Sequence, residues 1–202
     1  MKRSDFYKFL SSVYNAPPTE ELVTLLYSAE TVNSLLLLCN EAEDYLKSHE
    51  PYSEIVQDFH DLMTVPGKKY CTPYEAVYVD TRVVGDKAIG NLLMGPSTIA
   101  VQKFYQKAGY EISNQYKELP DYIGLELEFM AMLCVDEENS DESAQSFLIL
   151  QRQFLTEHLC RWITPFCNKL KSNAQTNVYK AIALITNSFI KDELLYLNGV
   201  AE

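Results

Sequence analysis

Apolar residues recur every three to four positions along most of the chain, which is the spacing of one face of an α-helix. The first stretch of this kind covers residues 4–14 and the last covers residues 176–197. Strict alternation of apolar and polar residues, the pattern of a half-buried strand, is scarce. The pattern predicts an all-α fold, a single domain over residues 1–202 that forms a bundle of about eight to ten helices.

Capping residues and prolines mark the predicted helix boundaries. Thr19 and Ser53 are placed to cap two helices, because a hydroxyl can accept a hydrogen bond from a free amide of the first turn. The apolar spacing predicts one helix from about Thr31 to Lys47. It predicts a longer one from about Ser143 to Leu170, kinked at Pro165, whose ring removes a helical hydrogen bond.

Residues 66–95 are the least regular part of the chain, rich in glycine and proline. Long irregular segments in compact domains are often functional. Within this segment, Pro73-Tyr74-Glu75-Ala76-Val77-Tyr78 is typical of one helical turn begun by proline. We expect an aromatic, methionine-containing groove beside the irregular segment.

Charge narrows the classes of partner. The chain has 28 acidic and 17 basic residues, a net charge of −11, which makes nucleic acid an unsuitable partner. Residues 111–142 alone carry a net charge of −9, which favours a cationic partner or, alternatively, serves only as a solvated face. The N-terminus lacks the apolar run of a signal peptide, so we expect a cytoplasmic protein without stable membrane insertion.

One carboxylate in the acidic block falls on an apolar helix face. In the helix that follows Pro120, Glu126 lies between Met130 and Leu133 on the helical wheel. A buried carboxylate needs a partner, and we expect either a tyrosine or arginine from another helix or a ligand. Asp121 is placed to cap the start of the same helix.

The chain offers little catalytic chemistry. It has no glycine-rich phosphate loop, and no histidine–cysteine cluster has the spacing of a metal site. Of its three histidines, His158 lies between Phe154 and Trp162 on an apolar helix face, where a hydrogen-bonded core histidine is expected. We therefore predict no catalytic residue, no metal site and no enzyme activity.

Three stretches resemble one protein family. Glu118-Leu-Pro120-Asp121-Tyr122-x-x-x-Glu126-Leu-x-Phe129-Met130 resembles the hallmark Pro-Asp-His-x-x-x-Glu-Leu-x-Phe-Met segment of the TorD/DmsD/NarJ family of cytoplasmic chaperones for molybdoenzymes. Residues 73–78 resemble that family's Pro-aromatic-x-Ser-Val-aromatic element. Phe154-Leu-x-x-His158-Leu-x-x-Trp162-x-x-x-Phe166 resembles its long C-terminal helix.

The resemblance implies a TorD-like helical fold and a chaperone, present as a monomer or a domain-swapped dimer. Its partner would be the catalytic subunit of a molybdopterin-dependent oxidoreductase, including that subunit's twin-arginine signal peptide. Binding would allow cofactor insertion and folding before export. The molybdopterin cofactor belongs to the client, so the chaperone itself has no cofactor, although weak GTP binding has been linked with some relatives.

The resemblance also implies a site. Its signal-peptide or client-binding residues would be Pro73, Tyr74, Tyr78, Glu118, Pro120, Asp121 and Tyr122. Its supporting residues would be Glu126, Phe129, His158 and Trp162. The family usually has histidine at the position of Tyr122, and a tyrosine cannot become cationic near neutral pH.

Three other functions stay open at this point. A chaperone could grip the mature subunit and ignore the leader. A nucleotide-binding or nucleotide-hydrolysing helical protein is a less favoured alternative, because the phosphate loop is missing. A helical adaptor would use Glu126 and Asp121 only for packing and capping.

Overall fold

A computed structural model describes residues 2–84, 87–90, 92–113, 116–140 and 142–201. Its longer helices are α1 (Arg3–Asn15), α2 (Glu20–Leu26), α3 (Ala29–Leu38), α5 (Tyr52–Phe59), α7 (Pro96–Lys107), α8 (Ile123–Asn139), α9 (Ala144–Phe154), α10 (Cys160–Asn173) and α11 (Asn177–Val200). Two short helices, α4 (Glu43–Leu46) and α6 (Glu75–Val79), complete the set in the described residues. A π turn, Leu155–Leu159, links α9 to α10.

The predicted all-α class is confirmed. If α9 and α10 are counted as one helix through their π turn, the described residues form ten helices, as the apolar spacing predicts. The structure adds a two-stranded antiparallel hairpin, β1 (Thr81–Val84) and β2 (Lys87–Gly90), in register from Thr81 opposite Gly90 to Val84 opposite Lys87. The hairpin lies in the irregular segment, where strands this short give too few positions to show alternation.

Several predicted boundaries are confirmed and others are wrong. Thr19 caps α2 by accepting a hydrogen bond from the Leu22 amide at 3.2 Å. Ser53 does not cap α5, because the helix already begins at Tyr52. The predicted helix over residues 31–47 is interrupted at Cys39, whose backbone is extended.

The long C-terminal helix contains an irregularity that the apolar spacing does not predict. Pro165 lies inside α10, and a π turn precedes it at Leu155–Leu159. A π turn inserts a wider loop into a helix without needing proline.

By their internal contacts, the residues form two compact units, neither of them continuous in sequence. The first comprises residues 1–15, 73–162 and 193–202, and the second comprises residues 16–72 and 163–192. In the second unit, the buried Asp58 carboxylate accepts hydrogen bonds from the Thr176 amide at 2.8 Å and its hydroxyl at 2.7 Å. Asp58 thereby fixes the chain just before α11 begins.

In the first unit, α1 packs along α8, and the two helices approach closely at Gly124. The Ser11 hydroxyl donates a hydrogen bond to the Gly124 carbonyl at 2.9 Å. A Cβ atom at Gly124 would collide with the Asn15 side chain and with the Tyr122 ring. Gly124 therefore allows α1 to approach the start of α8.

This contact predicts that Gly124→Ala destabilises the protein. The clash should lower the free energy of unfolding by about 1–2 kcal/mol, even after the helix preference of alanine is counted. Gly199→Ala is the matched control, because nothing lies within 4 Å of its added Cβ atom. Urea denaturation of both variants measures the difference. Equal stability of the two variants would contradict the close approach.

The five cysteines are free thiols, four of them buried and Cys160 half-buried. They therefore serve as small packing residues, as their apolar surroundings in the sequence suggest. Among the described residues, no single helix is long and apolar enough to cross a membrane, although the bent pair α2–α3 meets the criteria of length and composition.

Candidate functional site

The segment that precedes α6 pairs with the segment that precedes α8. Tyr74 and Tyr122 form an isolated antiparallel β-bridge. The Ile123 amide donates to the Pro73 carbonyl at 3.0 Å, and the Glu75 amide donates to the Asp121 carbonyl, also at 3.0 Å. The two segments named by the family resemblance are thus joined through their backbones.

Asp121 caps α6 and not α8. Its Oδ2 accepts a hydrogen bond from the Ala76 amide at 2.9 Å, in the first turn of α6. The N-cap of α8 is Tyr122, which makes no side-chain cap hydrogen bond. The prediction that Asp121 caps α8 is therefore wrong. Asp121 is also fully buried, so its carboxylate holds the two segments together and does not lie on the surface.

Burial raises the pKa of Asp121 above its ordinary value, while the Ala76 amide and the Thr98 hydroxyl lower it in part. Burial disfavours the charged form of a carboxyl group, and hydrogen bonds to that group offset part of the cost. Here they fix the start of α6 against the start of α8.

Tyr74 and Glu118 form the accessible face of this joined region. Glu118 is exposed and Tyr74 is half-buried, and the Tyr74 hydroxyl donates a hydrogen bond to the Glu118 carboxylate. Pro120 is half-buried, and its carbonyl accepts a hydrogen bond from the Tyr105 hydroxyl at 3.0 Å. A carboxylate on the surface beside an aromatic ring is suited to a guanidinium group, which pairs with both.

Tyr122 is buried, with 6% of its surface exposed. Its hydroxyl donates a hydrogen bond to the Tyr14 carbonyl at the end of α1, and its ring lies 5.6 Å from the Tyr74 ring. Tyr122 therefore ties the bridge to α1.

Beneath the bridge, α6 carries a fully buried carboxyl group, that of Glu75. Its Oε2 lies 2.9 Å from His158 Nδ1, and its Oε1 lies 3.6 Å from Arg161 Nη1. Glu126 is equally buried and accepts a hydrogen bond from Trp162 Nε1 at 3.2 Å. The predicted tyrosine or arginine partner of Glu126 is wrong, since the donor is an indole.

Glu75 and Glu126 are two buried carboxyl groups that interact with each other. Burial raises the pKa of Glu126 well above its ordinary value, and the charge and hydrogen bonding of Glu75 raise it further. Among the described residues, no N–H or O–H group lies close enough to donate a hydrogen bond to Oε1 of either residue, and Arg161 at 3.6 Å is beyond that range. A proton on Glu126, donated to Glu75, accounts for both oxygens and avoids two adjacent buried charges.

This arrangement predicts a pH-dependent effect of Glu126→Gln. Because the folded-state pKa of Glu126 is raised, the contribution of Glu126 to wild-type stability falls as pH rises above the ordinary value of 4.5, where only the unfolded carboxyl ionises. Glutamine keeps one donor and one acceptor but cannot ionise. The variant should gain stability relative to wild type by up to about 1.4 kcal/mol per pH unit above that value.

Urea denaturation between about pH 4.5 and pH 8 measures this difference. Glu157→Gln is the control, because Glu157 is exposed and should show no such trend. A stability difference between Glu126→Gln and wild type that does not change with pH would rule out the protonated pair.

Trp162, Phe129 and His158 are nearly or fully buried around this pair. The Tyr78 ring stacks on Trp162 at 5.5 Å. Phe129 packs against Tyr105 at 4.5 Å and Phe154 at 4.7 Å. Trp162, Phe129 and His158 therefore support α6 and α8 from the interior, whereas Tyr78 is half-buried.

An aromatic, methionine-containing cavity of about 210 Å³ is present, but no described residue of the irregular segment lines it. Its described lining comes from α7, from residues 110–116 and from α8: Tyr105, Tyr110, Glu111, Ile112, Ser113, Tyr116, Leu125, Glu128, Phe129 and Met132. Two of these residues are carboxylates of the acidic block. The cavity therefore suits a peptide that places an apolar side chain among the aromatic rings and a cationic side chain next to a carboxylate.

Among the described residues, no group of three or more His, Cys, Asp or Glu side chains could hold a metal ion. The buried carboxyls are committed to neighbours within the fold. Glu118 and Tyr74, by contrast, are accessible to solvent.

The bridge joins the two segments that the resemblance implies, but the sequence does not predict the contact of Glu75 with Arg161. Glu75 lies in the segment of residues 73–78, but the five-residue helix α6 is too short for its sequence pattern to show which face is buried. Arg161 lies one residue before Trp162 and is 48% exposed. Its contact with Glu75 joins residues far apart in sequence, so no local pattern could reveal it.

A family model described as nitrate reductase delta subunit matches residues 29–168. A chaperone protein TorD of Vibrio cholerae serotype O1 is 25% identical over 207 residues, spanning 95% of this chain and 90% of that protein. A chaperone protein TorD of Shewanella pealeana is 24% identical over 211 residues, spanning 98% and 90%. A crystal structure described as a redox enzyme maturation protein of Archaeoglobus fulgidus aligns with TM-score 0.49 and 15% identity, covering 98% of this chain and 95% of that one.

Proposed function

This chain belongs to the nitrate reductase delta subunit family, and on that premise we propose that it is a chaperone of a molybdopterin-dependent oxidoreductase. It binds the catalytic subunit of that enzyme before the subunit's cofactor is inserted. The names of the curated relatives, which this chain matches over almost their whole length, support the chaperone role.

The part of the client that we propose it binds is the twin-arginine signal peptide. The observation that carries this proposal is the bridge between Tyr74 and Tyr122, which places Tyr74 beside the exposed carboxylate of Glu118. An arginine of the leader would pair with Glu118 and stack on Tyr74.

The rest of the leader would lie along the acidic block. A leader's apolar middle offers side chains for the aromatic cavity, whose lining includes Glu111 and Glu128. The surrounding charge of −9 over residues 111–142 would attract a cationic peptide and speed its association. While the leader is held, the client is kept from export until its cofactor is in place.

Isothermal calorimetry with a synthetic twin-arginine leader tests this proposal. We expect binding that weakens as salt rises from about 50 to 500 mM, since exposed charges are screened. Glu118→Gln should weaken binding about tenfold, the range of a charge-assisted pair. Because Glu118 is exposed, this variant should keep wild-type stability.

A leader whose two arginines are replaced by glutamine is the matched ligand control and should bind no better to wild type than to Glu118→Gln. Binding of the full catalytic subunit with no affinity for its leader would contradict leader recognition and favour a chaperone of the mature subunit.

A further inference from the structure

A second groove lies between α7 and the start of α10. It has a volume of about 640 Å³ and is open to solvent. Its lining residues are Ala100, Lys103, Phe104, Lys107, Thr156, Glu157, His158 and Arg161. None of these residues belongs to the bridge or to the aromatic cavity.

The groove is cationic in an otherwise acidic protein. Its lining carries three permanent cations, Lys103, Lys107 and Arg161, against one carboxylate, Glu157, while the chain as a whole has a net charge of −11. Lys103 and Lys107 are four residues apart, on one face of α7, and α7 contains no acidic residue. Within the described residues, neither ammonium group forms an ion pair, so both are available to an anion.

The shape of the groove favours a polypeptide over a small anion. Small-molecule sites enclose most of their ligand, whereas this groove is open to solvent. Its lining combines the charged side chains with two apolar ones, the nearly buried Phe104 ring and the exposed Ala100. An extended segment with acidic side chains and an occasional apolar one would satisfy both features.

We infer that this groove binds an acidic segment of the client polypeptide. The inference rests on the proposed function, since it requires a polypeptide client. An acidic segment is repelled by the net charge of this protein, so a local cationic groove fixes where such a segment can dock. The protein would then hold its client at two places of opposite charge, the leader at Glu118 and an acidic segment at Lys103 and Lys107.

Fluorescence anisotropy with a labelled peptide of about eight residues, mostly Glu and Asp with two Leu, tests the inference. The full chain should bind this peptide, and Lys103→Gln/Lys107→Gln should weaken binding about tenfold. Lys8→Gln/Lys169→Gln is the matched control, because it removes the same charge from two exposed lysines outside the groove and should change the affinity less than about twofold. Arg161 is left intact, because it also contacts the buried Glu75.

Two results would overturn the inference. One is an equal loss of affinity in both double variants, which would indicate nonspecific attraction. The other is displacement of the peptide by micromolar pyrophosphate, which would assign the groove to small anions. Leader calorimetry on the same proteins separates the two proposals. Lys103→Gln/Lys107→Gln should bind the leader as wild type does. If the wild-type protein binds the acidic peptide but not the leader, only the proposal of leader recognition is contradicted.

Discussion

Replacing Glu75 by alanine should lower the free energy of unfolding by about 3 kcal/mol, the cost of removing one partner from a buried polar pair. The Glu75 carboxyl is fully buried and contacts His158 and Arg161. It also accepts the proton that we assign to Glu126. Without the Glu75 carboxyl, His158, Arg161 and Glu126 each lose a partner, and a cavity remains beneath α6.

Trp162 is the chain's single tryptophan, so its fluorescence reports directly on this network during urea denaturation. Glu157→Ala is the matched control: it removes a glutamate next to His158, but one that is exposed. That control should stay within about 0.5 kcal/mol of wild type. A Glu75→Ala protein as stable as Glu157→Ala would show that the buried network does not support α6.

Asp121→Ala should cost about 2 kcal/mol of stability and reduce leader affinity at least tenfold, because the variant loses the cap of α6 and leaves the buried Ala76 amide without its acceptor. The loss of affinity is indirect, since Asp121 is buried and holds Tyr74 in position through α6.

Asp121→Asn separates the cap from the charge. The asparagine oxygen can accept the same hydrogen bond from the Ala76 amide, and its neutral amide avoids the cost of burying a charge. We expect this variant to keep most of the stability and affinity that Asp121→Ala loses. If urea denaturation and leader calorimetry instead show the two variants equally impaired, the carboxylate charge has a role beyond the cap.

The fold class is predictable from local patterns, whereas the two segments of the candidate site are what the family resemblance implies. Helical spacing identified most helices, and the wheel placed Glu126 on a buried face because amphipathicity is a local property. The role of Asp121 was not predictable in this way. Its position just before α8 predicts that it caps α8. Its Oδ2 instead accepts a hydrogen bond from the Ala76 amide of α6, 45 residues earlier in the chain.

The breaks in the helices show a similar limit. Cys39 leaves the helix although the apolar spacing continues past it, and Asn40 then opens a 3₁₀ turn, a position that asparagine favours. The π turn at Leu155–Leu159 lies in a stretch of unbroken helical spacing. Its hydrogen bonds change by one residue only, which a periodic pattern does not register.

We propose that the face formed by Tyr74 and Glu118 at the bridge receives a twin-arginine leader, and site-specific photo-crosslinking tests this claim. A photoreactive phenylalanine analogue at position 74 should capture the leader peptide upon irradiation. The same analogue in place of Tyr52, which is 39% exposed and belongs to the other compact unit, should not. Capture from position 52 but not from position 74, by a protein that calorimetry shows to bind the leader, would contradict the claim.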